Sequence, residues 1–173
     1  MTDKKEQILN AALALFAAEG YKAVSTNKIA KKAKVSEGLI FRHFENKQGL
    51  LDAILGQAVD RTKVLFAPII AESDPKKVIE RGIRLPFTID EGEYPFWKLQ
   101  FKLKWEIEYS GAEKMRPFIE KLAWAFTELG LKEPQKEAEI LNHIIESISG
   151  GILKDGLESQ KPLMGFLLKK YSL

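Results

Sequence analysis

The fold is decided by residues 26–47, which read TNKIAKKAKVSEGLIFRHFENK. This stretch predicts two short amphipathic helices, over 27–33 and 37–44, because hydroxyl side chains that can cap a helix precede each of them. The capping residues are Ser25 and Thr26 for the first helix and Ser36 for the second. Two short helices joined by a turn of three or four residues have the dimensions of a helix-turn-helix. Because helix pairs are common, this spacing alone favours DNA binding only weakly.

A longer helix is predicted before this pair. Over residues 4–19 the apolar side chains recur at the spacing of one helix face, at Ile8, Ala12, Leu15 and Phe16. Gly20 ends this helix. Three helices therefore make up a small N-terminal head.

Further helices are predicted for the remainder of the chain. Asn46 can cap a long helix over 47–66, which Pro68 ends. Prolines and glycines divide the rest into helices near 75–86, 94–110, 112–130, 134–156 and 162–171. No stretch alternates with a period of two for long enough to make a strand, so the sequence predicts an all-α fold.

The positive charge is concentrated at the N-terminus. Residues 1–50 hold nine Lys or Arg against five Asp or Glu, a net charge of +4. Residues 51–173 hold 18 bases and 19 acids, a net charge of −1. This distribution is expected if the head meets a polyanion and the body does not.

The composition excludes several classes of function. A chain of 173 residues without cysteine has no disulfide, no thiolate metal site, no iron–sulfur cluster and no cysteine nucleophile. Its first residues mix acids with bases and lack an apolar leader, and no later window holds 18 apolar residues in a row. We therefore expect a cytoplasmic protein with no membrane partner. With two histidines and no cysteine, the sequence also offers little for catalysis, so neither an enzyme nor a cofactor is expected.

Residues 5–51 resemble the DNA-binding domain of the TetR family of bacterial transcriptional regulators. The likeness covers the helix-turn-helix and the flanking segments 8–12 and 16–21, in order and spacing. It implies a DNA-binding domain over 1–46 and a helical ligand-binding and dimerisation domain over 47–173. It also implies a homodimer, most often a repressor, whose two heads enter successive major grooves of a palindromic operator in double-stranded DNA. A small apolar or aromatic inducer bound in the body would release it.

The resemblance assigns roles in DNA binding residue by residue. The implied contacts are Thr26, Lys28, Ser36, Glu37, Gly38, Phe41, Arg42, His43 and Lys47. The implied core of the head is Ala30, Val35, Leu39, Ile40 and Phe44. Two positions depart from the family pattern. Lys34 replaces a glycine in the turn and must adopt a positive φ, and Phe41 replaces a tyrosine and loses one hydrogen bond to phosphate.

Aromatic residues in the body are candidates for a ligand pocket. Trp97, Phe101 and Trp105 lie at i, i+4 and i+8 on one predicted helix, and Trp124 follows on the next. The pattern fits either an apolar pocket wall or ordinary helix packing. The candidate ligand-binding residues are Tyr94, Trp97, Phe101, Trp105, Trp124 and His143, with Gln100, Tyr109 and Asn142 as further polar groups. Glu139, His143 and Glu146 share a helix face, but no second helix offers a matching set, so no metal site is expected.

The helix predicted over 134–156 is more apolar than one buried stripe requires, and the last predicted helix is short, which implies a small dimer interface. In the TetR family they form the dimer interface, which implies contacts by Leu141, Ile144, Ile145, Ile148, Ile152, Leu163, Phe166 and Leu167. Gly150 and Gly151 predict either a close backbone approach or a kink. Two alternatives to a regulator stay open at this point: an enzyme on a helical bundle, and a protein–protein adaptor whose head no longer binds DNA.

Overall fold

The computed structural model describes residues 4–106 and 112–173. Within these ranges the chain is helical and contains no strand, which confirms the all-α prediction. The α-helices are α1 Lys4–Glu19, α2 Thr26–Ala33, α3 Glu37–Phe44, α4 Lys47–Ile70, α5 Pro75–Arg84, α6 Tyr94–Glu106, α7 Ala112–Glu128, α8 Pro134–Asp155 and α9 Leu157–Lys170. Two short 3-10 helices, Leu85–Thr88 and Glu91–Glu93, lie between α5 and α6. No helix among the described residues is long and apolar enough to cross a membrane.

Two predicted helix boundaries were wrong, both at a proline. Pro68 lies inside α4, which continues to Ile70. The last turn closes without the proline's missing N–H, because the N–H of Ala71 donates to the Ala67 carbonyl at 3.0 Å. Likewise, Pro162 lies inside α9, which begins at Leu157 and not at Pro162 as predicted.

The chain divides into two compact units, and the first comprises Met1–Arg61 and Gly92–Ser110. Its core joins α1, α2, α3 and the first part of α4, as predicted for the head. Of the five predicted core residues, Ala30, Ile40 and Phe44 are buried, and Val35 and Leu39 pack against the same core.

The first unit also contains α6, which the sequence had placed in the body. Phe96, Leu99 and Leu103 of α6 are fully buried in the core that holds Ile8 and Phe16 of α1. By chain position, α4 runs through both units and α6 belongs to the first, whereas the division into DNA-binding and ligand-binding domains after residue 46 stays a prediction.

The second unit comprises Thr62–Glu91 and Gly111–Leu173, and α7 packs between α5 and α8 within it. Gly82 of α5 lies where an added Cβ would meet Leu122 at 3.3 Å. Gly151 of α8 faces α9, and a Cβ there would lie 2.6 Å from the Gln160 Cδ. The contact is with the end of the flexible Gln160 side chain and not with backbone, so the close backbone approach predicted for the paired glycines stays a prediction.

Candidate nucleic-acid interface

The start of α2 is capped by Ser25. Its Oγ accepts a hydrogen bond from the Lys28 N–H at 3.2 Å, and its backbone is extended, as at most N-caps. The expectation that Thr26 caps this helix was wrong, since Thr26 is its first residue. The Thr26 hydroxyl instead donates to Glu37 Oε1 at 2.5 Å. It therefore holds the first turn of α2 against the first turn of α3.

The turn between α2 and α3 depends on Lys34. This residue has φ 54° and ψ 46°, the left-handed conformation that the sequence predicted for it. Its N–H donates to the Lys31 carbonyl at 3.3 Å, and the Val35 N–H donates to the Ala30 carbonyl at 3.0 Å. A non-glycine residue in this conformation costs about 1–2 kcal/mol. The turn therefore keeps a lysine at an energetic cost.

The exposed face of α3 carries most of the predicted DNA contacts. Ser36 occupies the N-cap position, and within the described chain its side chain makes no capping bond, so the hydroxyl points to solvent. An added Cβ at Gly38 would meet no described atom within 4 Å, so packing inside the head does not require a glycine there. Phe41 is 45% exposed, and Arg42 and His43 are also exposed. These five residues form an open face that can approach a duplex.

Glu37, in contrast, is engaged inside the head. Besides the Thr26 hydroxyl, its carboxylate accepts from Asn27 Nδ2 at 3.3 Å. Both bonds join residues about ten positions apart in sequence, which no helical periodicity reveals. Asn27 is thus a residue that sequence reasoning missed.

The two lysines among the predicted DNA contacts, Lys28 and Lys47, also have partners in the head. Lys28 forms an ion pair with Glu19 of α1. The Lys47 ammonium donates to the Val24 carbonyl at 2.8 Å and to the Lys22 carbonyl at 3.4 Å. It also lies 4.4 Å from the centre of the Tyr21 ring. Burial lowers the pKa of Lys47, and the negative charge of Glu106 opposes that shift.

The C-terminal end of α6 is bonded to α1 and to the turn that follows it. Lys102 Nζ donates to the Ala18 carbonyl at 2.7 Å. Glu106 accepts from the Lys22 N–H at 3.1 Å, and its carboxylate lies over Gly20, where an added Cβ would be 2.2 Å from Oε1. Gly20 has φ 92°, a backbone conformation that favours glycine, and a side chain at this position would displace the Glu106 carboxylate.

The predicted ligand residues divide between the two units. Tyr94, Trp97 and Phe101 are partly buried on α6 of the first unit. Trp97 Nε1 and Gln100 Nε2 are buried without a hydrogen-bond partner among the described residues. The Trp105 side chain and Tyr109 lie outside what the structure describes.

In the second unit, Trp124 lies on α7 with the Lys121 ammonium 3.9 Å from its ring centre. His143 is exposed on α8. Asn142, beside it, is 9% exposed, and its Oδ1 has no partner in the described chain. The described residues contain no group of three side chains placed to hold a metal ion.

The predicted dimerisation residues also fall into two groups. Five are buried within their own unit and have almost no surface left for a partner: Leu141, Ile145, Ile148, Ile152 and Leu167. Ile144 is partly buried. Leu163 and Phe166 are 49% and 65% exposed, and Ile140, on α8, is 50% exposed. The apolar side chains that α8 and α9 leave exposed are therefore few.

Comparison with known proteins identifies similarity to regulators. Residues 8–54 match the family model described as bacterial regulatory proteins, tetR family. The HTH-type transcriptional regulator YvkB of Bacillus subtilis (strain 168) is 51% identical over 57 residues, which cover 33% of this chain and 30% of YvkB. The HTH-type transcriptional regulator YhgD of the same organism is 28% identical over 174 aligned positions, which cover 97% of this chain and 80% of YhgD.

The overall fold is also shared with a solved structure. The crystal structure of AibR in complex with isovaleryl coenzyme A and operator DNA superposes with a TM-score of 0.72 at 17% identity. The alignment covers 96% of this chain and 97% of AibR. The likeness in sequence is therefore strongest in the head, where the chain spans less than a third of YvkB, whereas the likeness in fold extends over nearly the whole chain.

Proposed function

We propose that the chain is a sequence-specific DNA-binding repressor of the TetR type that a small ligand releases from its operator, because residues 8–54 match the family model described as bacterial regulatory proteins, tetR family. The observation that carries the proposal is the exposed face of α3, which presents Ser36, Arg42 and His43 beside the bare backbone of Gly38. These are hydrogen-bonding groups of the kind that read base edges and phosphates in a major groove. The positive charge of the head supplies the sequence-independent attraction.

The proposal assigns a DNA contact to the exposed side chains on this face. Arg42 can donate two hydrogen bonds to O6 and N7 of a guanine, which is the commonest specific contact in the major groove. The Ser36 hydroxyl and His43 can bind a base edge or a phosphate. Phe41 has no hydroxyl and contributes only apolar contact with sugar or a thymine methyl group.

DNA binding would also exchange bonds that the free head makes internally. Thr26 and Glu37 are bonded to each other in the free protein. In the complex the Thr26 hydroxyl would turn to a phosphate, and the Glu37 carboxylate would accept from the amino group of a cytosine. Lys47 can contact phosphate from its place over the Tyr21 ring, since an ammonium group has three donors and the head uses two.

We assign dimerisation to the exposed apolar side chains of α8 and α9. Ile140, Leu163 and Phe166 leave apolar surface open to solvent in the single chain, and such surface marks protein–protein contact sites. A two-fold symmetric dimer presents two recognition helices about 34–36 Å apart, one helical turn of DNA. The operator would therefore be a palindrome.

The ligand would act through α6. Trp97 Nε1 and Gln100 Nε2 are buried donors one helical turn apart, so a ligand with an apolar body and hydrogen-bond acceptors would satisfy both. A shift of α6 would reach the head through Glu106, which binds the Lys22 N–H. Lys22 also provides a carbonyl that binds the Lys47 ammonium, so the same turn positions a proposed phosphate contact.

Selection from a pool of random duplexes tests the proposal, with affinities then measured by fluorescence anisotropy. We expect an enriched palindromic sequence whose binding survives nonspecific competitor and weakens steeply with salt. Arg42→Ala should abolish the preference for that sequence, and Arg116→Ala, an exposed arginine of α7, is the matched control. A pool without any enriched sequence would refute the proposed function and favour an adaptor.

A further inference from the structure

The head carries a second basic surface outside the exposed face of α3. A groove of about 530 Å³ lies between the N-terminal half of α1 and the C-terminal end of α2. Three cations line it: Lys4 from α1, Lys32 from α2 and Lys34 from the turn. Gln7 and Asn10 of α1 add two amide side chains. None of the five belongs to the set of DNA contacts that the family resemblance implied.

The chemistry of this groove suits an anion. Lys4 Nζ donates to Gln7 Oε1 at 3.1 Å, which leaves the Gln7 amide nitrogen as a donor. Among the described residues no carboxylate lines the groove, and none forms an ion pair with these three ammonium groups. Lys28, on the same helix as Lys32, is by contrast neutralised by Glu19. The groove thus concentrates uncompensated positive charge in a concave site, where its field is strongest.

The position of the groove in the chain points to nucleic acid. Lys34 precedes the N-cap of α3 by two residues, so its Cα lies within about 7 Å of the Ser36 Cα. When the N-terminus of α3 enters a major groove, Lys34 therefore stands beside the phosphates that border that groove. The left-handed conformation of Lys34 supports the same assignment. Glycine would adopt this conformation without strain, yet the turn carries a cation there.

We propose that Lys4, Lys32 and Lys34 bind backbone phosphates of the DNA strand that flanks the base pairs read by α3. The inference rests on the proposed function and extends the head's footprint beyond the helix-turn-helix. These contacts carry no sequence information, so they strengthen binding to specific and nonspecific duplexes alike. Each neutralised phosphate adds about 0.9 to the slope of log K against log salt concentration.

The test compares two triple variants of the full chain. K4Q/K32Q/K34Q removes the charge of the groove, and K63Q/K77Q/K132Q removes the same charge from exposed positions outside it. Both are titrated on the selected operator and on a random duplex between about 50 and 200 mM salt, with circular dichroism to confirm the fold. Loss of three contacts should lower the slope by about 2.7 per head, so wild-type affinity should fall about fortyfold more than that of the groove variant over this range. The control variant should keep the wild-type slope.

Inorganic tripolyphosphate provides a second measurement, by calorimetry on the wild type and on the groove variant. An unchanged DNA slope in the groove variant, with tripolyphosphate binding that this variant loses, would replace the proposal with a small-anion site. An equal fall of slope in both triple variants would also overturn it, because net charge and not position would then be responsible. If the wild type binds no duplex, the proposed function itself fails and the inference falls with it. A steep salt slope of wild-type DNA binding that is lowered only in the groove variant would support both the proposed function and this inference.

Discussion

The left-handed turn residue Lys34 allows the geometry of the head and its DNA contacts to be tested by one substitution, Lys34→Gly. Glycine adopts φ 54° without steric cost, so the change relieves about 1–2 kcal/mol of strain in the folded state. Glycine also has the more flexible unfolded chain, which costs about 0.5–1 kcal/mol. The free energy of unfolding should therefore rise by up to about 1.5 kcal/mol.

Lys31→Gly is the matched control. Lys31 lies three residues earlier, inside α2, is also exposed, and does not line the basic groove. Glycine in a helix interior should lower the free energy of unfolding by about 1 kcal/mol. The two variants carry the same change in charge and composition, so they should differ by about 1–2.5 kcal/mol in urea denaturation of the full chain.

DNA binding should separate from stability in the same pair of variants. Lys34→Gly should be the more stable protein and yet have a salt slope about 0.9 lower per head on any duplex. A Lys34→Gly variant as destabilised as Lys31→Gly would refute the left-handed conformation of the turn. A stabilised variant with the full wild-type slope would refute only the phosphate contact.

Three further expectations follow from the geometry. Lys47→Ala should weaken binding to all duplexes alike, whereas Arg42→Ala should change which duplex is preferred, as measured in competition titrations. If both variants lost affinity equally on every sequence, the assignment of Lys47 to phosphate and Arg42 to bases would be contradicted. Phe166→Glu should convert a dimer to monomers in light scattering, while Val64→Glu, at an apolar residue that is 75% exposed on α4, should leave the dimer intact. A hydrogen bond from the Asp74 N–H holds the pKa of Glu72 below its usual 4.5, so the contribution of Glu72 to stability is present above that pH and is lost as the pH falls through the lowered pKa. Glu72→Gln should therefore flatten the fall of the melting temperature at acid pH. An unchanged fall in this variant would contradict the role of Glu72.

The head could be predicted from sequence because its signals are local. The glycine after α1, the hydroxyl before α2 and the turn residue Lys34 each act within a few positions along the chain. The errors came from features that the chain completes at a distance. Pro68 was expected to end α4, but a proline in the last turn removes a bond that the helix can do without. Thr26 was expected to cap α2, but its hydroxyl is taken by Glu37 of the next helix.

The packing partner of α6 is another feature that local sequence signals could not predict. The fully buried residues of α6 are Phe96, Leu99 and Leu103, at helical spacing, whereas Trp97 and Phe101, on the stripe singled out from the sequence, are only partly buried. A stripe of this kind states that a helix is covered and does not state which helix covers it. Only the fold shows that α1 does, through the core they share and through the bonds that Lys102 and Glu106 make.

The apolar face of α8 illustrates why dimerisation residues were harder to assign than core residues. Leu141, Ile145 and Ile152 recur at helical spacing, and so do Ile140 and Ile144 on the adjoining face. Burial inside the chain and burial against a second copy select the same residue types, so composition cannot separate the two faces. The structure separates them by exposure: the first set is covered by the protein's own helices, and Ile140 is half exposed. A dimer interface on these helices must therefore be built from the few side chains that the single chain leaves open, and this is why one charge at Phe166 is expected to be enough to disrupt it.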